Sequence, residues 1–293
     1  MRSSLGFNVL RTTLVFIGCL TGYFLWSLKD RMADRTLDYF LSRGKIKRRD
    51  AAEVRWEHAV NSRRRLTEAL SGPAHMMEAD VLMRGRDPRE PIMAHPPHTD
   101  GDITLREWLQ EVKALGVGIK LDFKSLDAVS PSLVLLEKEE EVLSRPVWIN
   151  ADILSGPGGR AGPLDPEAFL SAVSSLPADT VLSLGWTTGW TAGTENPGYS
   201  WDDVRAMEAT CRRLKHPVTF PVRAALLARS VSQLSWLLQQ SDRFSLTVWT
   251  SQSDELTLQD LLPYRKEFDV SRIYYDLPDS LRTELSVTSQ DKD

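Results

Sequence analysis

Cysteine is scarce in this chain, with two residues in 293, Cys19 and Cys211. Cys19 falls in an apolar stretch near the amino terminus, so the remainder has one thiol and cannot form an internal disulfide. A disulfide-stapled secreted scaffold is therefore excluded. Glycine (17 residues) and proline (16 residues) are present at ordinary levels, and no internal repeat is visible, which excludes collagen-like chains, low-complexity chains and solenoids.

Long hydrophobic runs are also rare. One stretch, residues 12–28 (TTLVFIGCLTGYFLWSL), has no charged residue over 17 positions, which is at the short end of the length that spans a bilayer. We predict a single membrane-anchoring helix, and the basic residues that follow predict that the rest of the chain stays on the cytosolic or mitochondrial-matrix side. A cleaved targeting peptide and a buried helix are the alternatives, and residues 43–49 (RGKIKRR) are expected to form a solvated linker.

Charge is unevenly distributed along the chain. Residues 1–49 have a net charge of +7, and residues 50–293 have a net charge of −11. The acidic main part argues against a non-specific nucleic-acid binder, which needs basic surface to displace counterions from phosphates, but it is compatible with a nuclease that has a local metal site. We divide the chain into an anchor or targeting segment at 1–49 and a globular domain at 50–293.

Beyond residue 50, short β-branched or apolar runs alternate with longer stretches of helical period, a pattern typical of βα units and a parallel sheet. Eight strands are predicted, with an extra apolar run at Pro91–Ala94: Val54–Val60, His75–Leu82, Val117–Phe123, Pro146–Ile153, Thr180–Trp186, Pro217–Val222, Phe244–Thr250 and Arg272–Asp276. Their number and spacing match a (β/α)8 TIM-type barrel. A doubly wound open sheet is the alternative, although the first strand lacks a glycine-rich nucleotide turn. Helices are predicted to begin after Ser130, Asp165 and Ser200.

Acidic residues lie near the ends of the second and third predicted strands. Glu78 and Asp80 are two positions apart, so on a strand they face the same side, and Asp122 comes from the next predicted strand. Three adjacent carboxylates form the oxygen-rich site that Mg²⁺ prefers and Ca²⁺ accepts, and no nearby thiolate favours structural zinc. The alternative is that Lys120, Lys124 or an arginine neutralises these acids in buried ion pairs.

Two histidines end apolar runs near these acids. A pair such as His58 and His95 suits proton transfer near neutral pH, although each is alternatively a structural residue. Lys124 shares a face with Asp122 and is expected either to hold a phosphoryl oxygen or to neutralise the acids. We predict that residues on later strands form a substrate-binding wall in which Arg223 contacts phosphate, and the alternative is that the tryptophans belong to the core. The residues of this predicted wall are Asn150, Asp152, Trp186, Arg223 and Trp249.

Several longer motifs resemble the menorin family, in particular its shorter B-type branch: HAVNS (58–62), HMMEADVL (75–82), PIMAHPP (91–97), GIKLDFKS (118–125) and RPVWINADIL (145–154). The likeness extends over most of the predicted globular domain. The menorin family is in turn similar to the phospholipase C-like phosphodiesterases, which include glycerophosphodiester phosphodiesterases and spider-venom sphingomyelinase D. In those enzymes a barrel carries two acid/base histidines and a Mg²⁺ or Ca²⁺ ion held by three carboxylates.

The resemblance implies a role for each matching position: His58 and His95 as the histidine pair, Glu78, Asp80 and Asp122 as the metal ligands, and Lys124 as the nearby cation. Three departures concern glycerol recognition. Ala59 replaces the arginine of the HRG motif, Pro96 replaces the aspartate of the His-Asp motif that follows the second strand, and the third ligand is Asp instead of Glu. The resemblance implies a metal-dependent phosphodiesterase acting on a lipid or on RNA. The alternative from another class is a non-catalytic barrel that binds a protein or lipid partner.

Overall fold

Nine strands form one sheet that curls into a nearly closed barrel in the computed structural model, which describes residues 34–251 and 253–287. The strands are β1 Trp56–Glu57, β2 Met76–Met83, β3 Pro91–Met93, β4 Gly118–Phe123, β5 Val147–Ser155, β6 Val181–Thr187, β7 Val218–Arg223, β8 Phe244–Trp249 and β9 Ile273–Asp276. Eight of them run parallel in the order β1-β2-β4-β5-β6-β7-β8-β9, and β3 pairs antiparallel with β2. The prediction of an α/β barrel is confirmed.

Helices connect the parallel strands and cover the outside of the barrel. They are α1 Thr36–Ser42, α2 Arg63–Leu70, α3 Leu105–Val112, α4 Val129–Leu136, α5 Glu140–Leu143, α6 Pro166–Val173, α7 Trp201–Cys211, α8 Val231–Gln239, α9 Leu258–Leu261, α10 Tyr264–Glu267 and α11 Asp279–Val287. The helix starts predicted at Asp165 and Ser200 are confirmed, because each side chain accepts a hydrogen bond from the first turn. The start predicted at Ser130 is wrong, since a 3₁₀ turn at Leu126–Ala128 leads directly into α4.

Alternation along each strand separates an apolar outer layer from a polar interior. In β4, for example, Ile119, Leu121 and Phe123 are buried in the large hydrophobic core that includes residues of the covering helices. The residues between them, Lys120 and Asp122, therefore face the inside of the barrel. Apolar burial on the helix side thus fixes which face of the strand carries the charged groups.

The amino-terminal end of the barrel is closed by α1 and the residues around it. Phe40 packs in a second apolar cluster with Trp56 and Trp148, which lie at the starts of their strands. The indole nitrogen of Trp148 donates a hydrogen bond to Thr36 Oγ1 at 3.0 Å, and the Tyr274 hydroxyl donates one to Asp34 at 2.5 Å. The predicted domain boundary between residues 49 and 50 falls inside this packed stretch.

Residues 43–49, expected to form a solvated linker, also pack against the barrel. Ile46 is buried in the second apolar cluster, Arg48 pairs with Glu53, and Arg49 pairs with Asp38. Two of the five basic residues of this segment, Arg48 and Arg49, therefore have local acidic partners, and most of its other side chains are exposed.

The expected membrane localisation needs correction. The apolar stretch 12–28 lies outside the described residues, and within residues 34–251 and 253–287 no helix has the length and apolarity needed to cross a bilayer.

Candidate functional site

Strand register brings the predicted acidic residues together inside the barrel. The parallel pairing of β2 with β4 sets Glu78 beside Lys120 and Asp80 beside Asp122. One oxygen from each of Glu78, Asp80 and Asp122 can be chosen so that all lie within 4.8 Å of one another. The acidic triad, as we call these three side chains, lies toward the carboxyl ends of the strands, where barrels of this kind place their active sites.

The spacing of the acidic triad can be compared with the size of a cation. Two oxygens on one ion are separated by at most twice the metal–oxygen distance, which is about 4.2 Å for Mg²⁺ and about 5 Å for Ca²⁺. The pairwise separations, none above 4.8 Å, are within the limit for Ca²⁺, and Mg²⁺ requires that any pair wider than about 4.2 Å move closer together. An all-oxygen donor set with this spacing fits a hard divalent cation.

The segment after β1 holds Glu78 in place through its backbone. Ala59 has a φ of +53°, a left-handed conformation that costs a non-glycine residue about 1 kcal/mol, and its amide donates to Glu78 Oε2 at 2.7 Å. The next amide, of Val60, donates to the Glu78 carbonyl at 2.9 Å. The indole of Trp108 in α3 donates to the Val60 carbonyl at 3.1 Å, so an outer helix secures this segment.

Asn61 holds Asp80 in a similar way, with both ends of its carboxamide. Its Nδ2 donates to Asp80 Oδ2 at 2.5 Å, and its Oδ1 accepts from the Asp80 backbone amide at 2.8 Å. Sequence reasoning did not single out Asn61, because the irregular segment 58–61 has no strand or helix period from which side-chain direction can be read. Such groups orient metal ligands and tune their affinity.

His58 directly follows β1 and contacts two carboxylates. Its Nδ1 lies 3.0 Å from Asp276 Oδ2 and 3.2 Å from Glu78 Oε2, and these two carboxylates raise the pKa of His58 to about 10. Because both partners accept, Nδ1 carries the hydrogen, and Nε2 is left as the nitrogen that can exchange protons with a ligand. The side chain is 58% exposed, so Nε2 is reachable from outside.

Asp276 was not selected from the sequence as a site residue. Burial would raise the pKa of Asp276, but His58 and Lys120 hold it below its ordinary value. Asp276 ends the last predicted strand, so the rule that selected charged residues at strand ends also identifies this position.

His95 lies at the rim, two residues after β3. The preceding residue, Ala94, donates its amide to the Asp80 carbonyl at 3.1 Å, which ties this turn to the strand that carries two triad residues. His95 is exposed, and its Nδ1 donates to the Pro96 carbonyl at 2.7 Å, so that Nε2 is again the proton-exchanging nitrogen.

Two lysines lie among the acids, as the ion-pair alternative anticipated. Lys124 Nζ is 2.7 Å from Asp122 and 3.2 Å from Asp80, and these carboxylates raise the lysine pKa against the effect of burial. Lys120 is buried with its Nζ 3.8 Å from Asp276. Ion pairing with a lysine therefore covers two of the triad members, Asp80 and Asp122. Glu78 instead contacts His58 and an amide, and burial raises the pKa of Glu78 to about 7.

The charges of this region do not balance within the described part of the chain. Five carboxyl groups interact there with three cationic side chains, if His58 is counted as protonated: Glu78, Asp80, Asp122, Asp152 and Asp276 against His58, Lys120 and Lys124. The excess with all acids ionised is two negative charges, which equals the charge of one divalent cation. A cation at the acidic triad would neutralise this excess.

Of the residues expected to line the substrate wall, the two on β5 lie next to the triad. Asn150 Nδ2 donates to Asp122 Oδ1 at 2.7 Å, and the Ser183 hydroxyl donates to Asn150 Oδ1 at 2.5 Å. Asp152 follows two positions later and is half-buried at the rim side of Asn150.

Trp186 lies elsewhere. Ser183 and Gly185 of β6 face the interior, so the side chain of Trp186 faces the opposite side of the strand. It packs against the rings of Tyr199 and Phe220 in the outer layer, with 2% of its surface exposed. The expectation of a substrate contact is therefore corrected for this residue, because it belongs to the core between sheet and helices.

Arg223 is also used differently from the expectation. It is 4% exposed, its Nε and Nη2 bind both carboxylate oxygens of Asp254 at 2.9 and 2.5 Å, and its Nη1 donates to the Trp190 carbonyl at 2.7 Å. The guanidinium expected to bind phosphate thus joins two rim loops. Trp249 is half-buried, with its ring 6.0 Å from the Arg223 guanidinium carbon.

A cleft opens beside His58 where the barrel is not fully closed. Among the described residues, no strand ladder joins β1 to β9. The cleft has a volume of about 440 Å³ and is lined by His58 and Asp276 together with Glu57, Ser251 and Pro278. Its size lies in the range of small-molecule sites.

Two matches to known proteins each cover most of this chain. The family model for the menorin N-terminal domain matches residues 50–282. Human protein FAM151B is 51% identical over 247 residues, which cover 84% of this chain and 90% of that protein.

Among solved structures, a putative glycerophosphoryl diester phosphodiesterase from Silicibacter pomeroyi has 11% sequence identity and a TM-score of 0.48, covering 86% of this chain and 98% of that one. A glycerophosphodiester phosphodiesterase from Agrobacterium tumefaciens has 12% identity and a TM-score of 0.45, covering 78% and 98%. The family match and the human relative together establish that the chain belongs to the menorin family.

Proposed function

We propose that this protein is a divalent-cation-dependent phosphodiesterase. The observation that carries the proposal is the acidic triad on β2 and β4, with carboxylate oxygens within 4.8 Å of one another and His58 in contact with Glu78. Oxygen ligands of this spacing beside a histidine that presents Nε2 are the parts that phosphodiester cleavage requires. The resemblance of the menorin family to phospholipase C-like phosphodiesterases supports the same chemistry.

Glu78, Asp80 and Asp122 would hold the cation, Mg²⁺ or Ca²⁺. Bound there, the cation would neutralise the charge on the phosphoryl oxygens. Asn61 and the Ala59 amide hold two of the ligands in place before any ion arrives, and Asn150 holds the third.

The two histidines would move the protons. His58 Nε2 and His95 Nε2 are the exchanging atoms, one taking a proton from the attacking hydroxyl or water and the other giving one to the leaving oxygen. Asp276 accepts from His58 Nδ1 and so fixes both the tautomer and the direction of the ring, which makes it a positioning residue. Lys124 would stabilise developing negative charge next to Asp122.

The substrate would be a phosphodiester of a lipid, of the glycerophosphodiester or lysophospholipid type, or of RNA. The net charge of −11 over residues 50–293 favours the lipid-derived compounds, because polynucleotide binding needs basic surface. A panel that contains glycerophosphodiesters, a lysophospholipid and an RNA oligonucleotide would distinguish these substrates.

The proposal is tested with the purified full chain and bis(p-nitrophenyl) phosphate. We expect turnover with Mg²⁺ or Ca²⁺ and none in EDTA, and a loss of about 10²- to 10⁴-fold in kcat for His58→Asn. His75→Gln at the opposite end of the barrel is the matched control, and circular dichroism verifies folding of both variants. Cation binding without turnover of any substrate in the panel would support a non-catalytic binding protein instead, and equal rates for wild type and His58→Asn would refute the role of that histidine.

A further inference from the structure

Asp152 occupies a distinct position above the acidic triad. Residues two apart on a strand face the same side, so Asp152 faces the barrel interior like Asn150, whose carboxamide binds Asp122. It lies about 6.6 Å further along β5, which is one layer nearer the rim. A group attached to a phosphate bound at the acidic triad would extend into this layer.

The neighbouring strand leaves room for the Asp152 carboxylate. Gly185 is its register partner on β6, and a Cβ at position 185 would lie 2.3 Å from Asp152 Oδ1 and 2.9 Å from Pro221. Any larger residue at 185 would have to displace the carboxylate. The glycine therefore keeps the carboxylate in its position above the triad.

No hydrogen-bond donor from residues 34–251 or 253–287 reaches this carboxylate. Lys124 and Lys120 act on Asp152 only at longer range, since Lys124 is in contact with Asp122 and Asp80, and Lys120 lies near Asp276. Burial and the charge of Asp122 raise the pKa of Asp152 to about 7, as expected for a carboxyl group without a close partner. Because a half-buried carboxyl group without a donor is unfavourable, a bound molecule that supplies one gains affinity.

The strand order separates Asp152 from the histidine that contacts the triad. The triad is on β2 and β4, His58 follows β1 on one side, and Asp152 is on β5 on the other. The two groups of a phosphodiester would therefore extend in different directions, one toward the cleft beside His58 and one toward Asp152.

We propose that Asp152 determines substrate specificity by accepting a hydrogen bond from a hydroxyl or ammonium group carried on the side of the phosphodiester away from His58. This inference rests on the proposed phosphodiesterase activity. A hydroxyl group and an ammonium group both supply a hydrogen-bond donor a few bonds from the phosphate. The test uses one substrate with each group and so distinguishes them.

The test compares three substrates that share a p-nitrophenolate leaving group: propyl, 3-hydroxypropyl and 3-aminopropyl p-nitrophenyl phosphate. For the full-length wild type we expect kcat/KM to be about 10- to 100-fold higher with the hydroxypropyl or the aminopropyl substrate than with the propyl substrate. This ratio corresponds to one hydrogen bond to a charged group. In Asp152→Leu this ratio should fall to about 1, because the leucine side chain accepts no hydrogen bond. Asp152→Asn is the second variant in case the leucine variant does not fold, and the ratio should fall in it as well. Asp179→Asn, exposed just before β6 at the other end of the barrel, is the control.

Two results would overturn the inference while leaving the proposed function intact. One is a wild-type enzyme that hydrolyses all three substrates with equal kcat/KM. The other is an equal decrease in kcat/KM for all three substrates in Asp152→Asn, together with weaker cation binding. That result would make Asp152 a metal ligand. If the wild type hydrolyses none of the substrates with either cation, the proposed function and this inference both fail.

Discussion

Replacing Asn61 by alanine should weaken cation binding without removing any ligand. The carboxamide makes two hydrogen bonds to Asp80, one to its carboxylate at 2.5 Å and one to its backbone amide at 2.8 Å. Removing an outer group of this kind costs about 10- to 100-fold in metal affinity, or about 1.4 to 2.7 kcal/mol. Isothermal titration calorimetry with Ca²⁺ and Mg²⁺ measures the change directly.

A matched control separates this effect from a general loss of stability. Asn196 also makes two hydrogen bonds through its carboxamide, donating to the Ala225 carbonyl at 2.7 Å and accepting from the Gly198 amide at 3.0 Å, with no contact to the acidic triad. Asn196→Ala should lower the unfolding free energy while the cation affinity stays unchanged. Equal cation affinities for wild type and Asn61→Ala would refute the reasoning that Asn61 positions Asp80.

Three further predictions concern other parts of the molecule. Burial, together with Arg55 and Lys45, lowers the pKa of His75 to about 4. Between about pH 4 and pH 6.5 the unfolded chain therefore binds more protons than the folded chain. The unfolding free energy should rise with pH across that window, by about 3 kcal/mol in total. Urea denaturation at pH 4.5 and pH 7 should show a smaller difference for His75→Gln than for wild type, and an equal difference would contradict the assignment. Asp254→Ala leaves the buried Arg223 guanidinium without its carboxylate and should cost about 3 to 5 kcal/mol of unfolding free energy, whereas a thermal midpoint equal to that of wild type would show that the ion pair does not stabilise the fold. Asp276→Asn should lower kcat by about 10²- to 10⁴-fold and change the pH–rate profile with little change in substrate KM, and a profile that does not move would leave Asp276 without a positioning role.

The barrel was predictable from the sequence because its signals are local and repeated. Each predicted strand is an apolar run of the right length, and the structure shows a strand in every one of those positions. The first predicted strand, Val54–Val60, is the poorest match, since β1 ends at Glu57. The chain leaves the strand there because Ala59 adopts a left-handed conformation to direct its amide at Glu78.

The convergence of the acidic triad was predictable from alternation along β2 and from the expected neighbour β4. The residues that hold the triad were not, since Asn61 lies in an irregular segment whose side-chain directions no period predicts. Arg223 and Trp186 were misplaced for different reasons. The sequence did not reveal that Asp254 would bind the guanidinium, and Trp186 has the parity of the outer layer.

Cation binding by the acidic triad is the central claim, and calorimetric titration of the purified full chain tests it most directly. The account predicts one Mg²⁺ or Ca²⁺ ion per chain, with binding weakened at least 100-fold in both Glu78→Gln and Asp122→Asn while circular dichroism shows the fold retained. No binding by the wild type, or equal affinity in wild type and both variants, would contradict it.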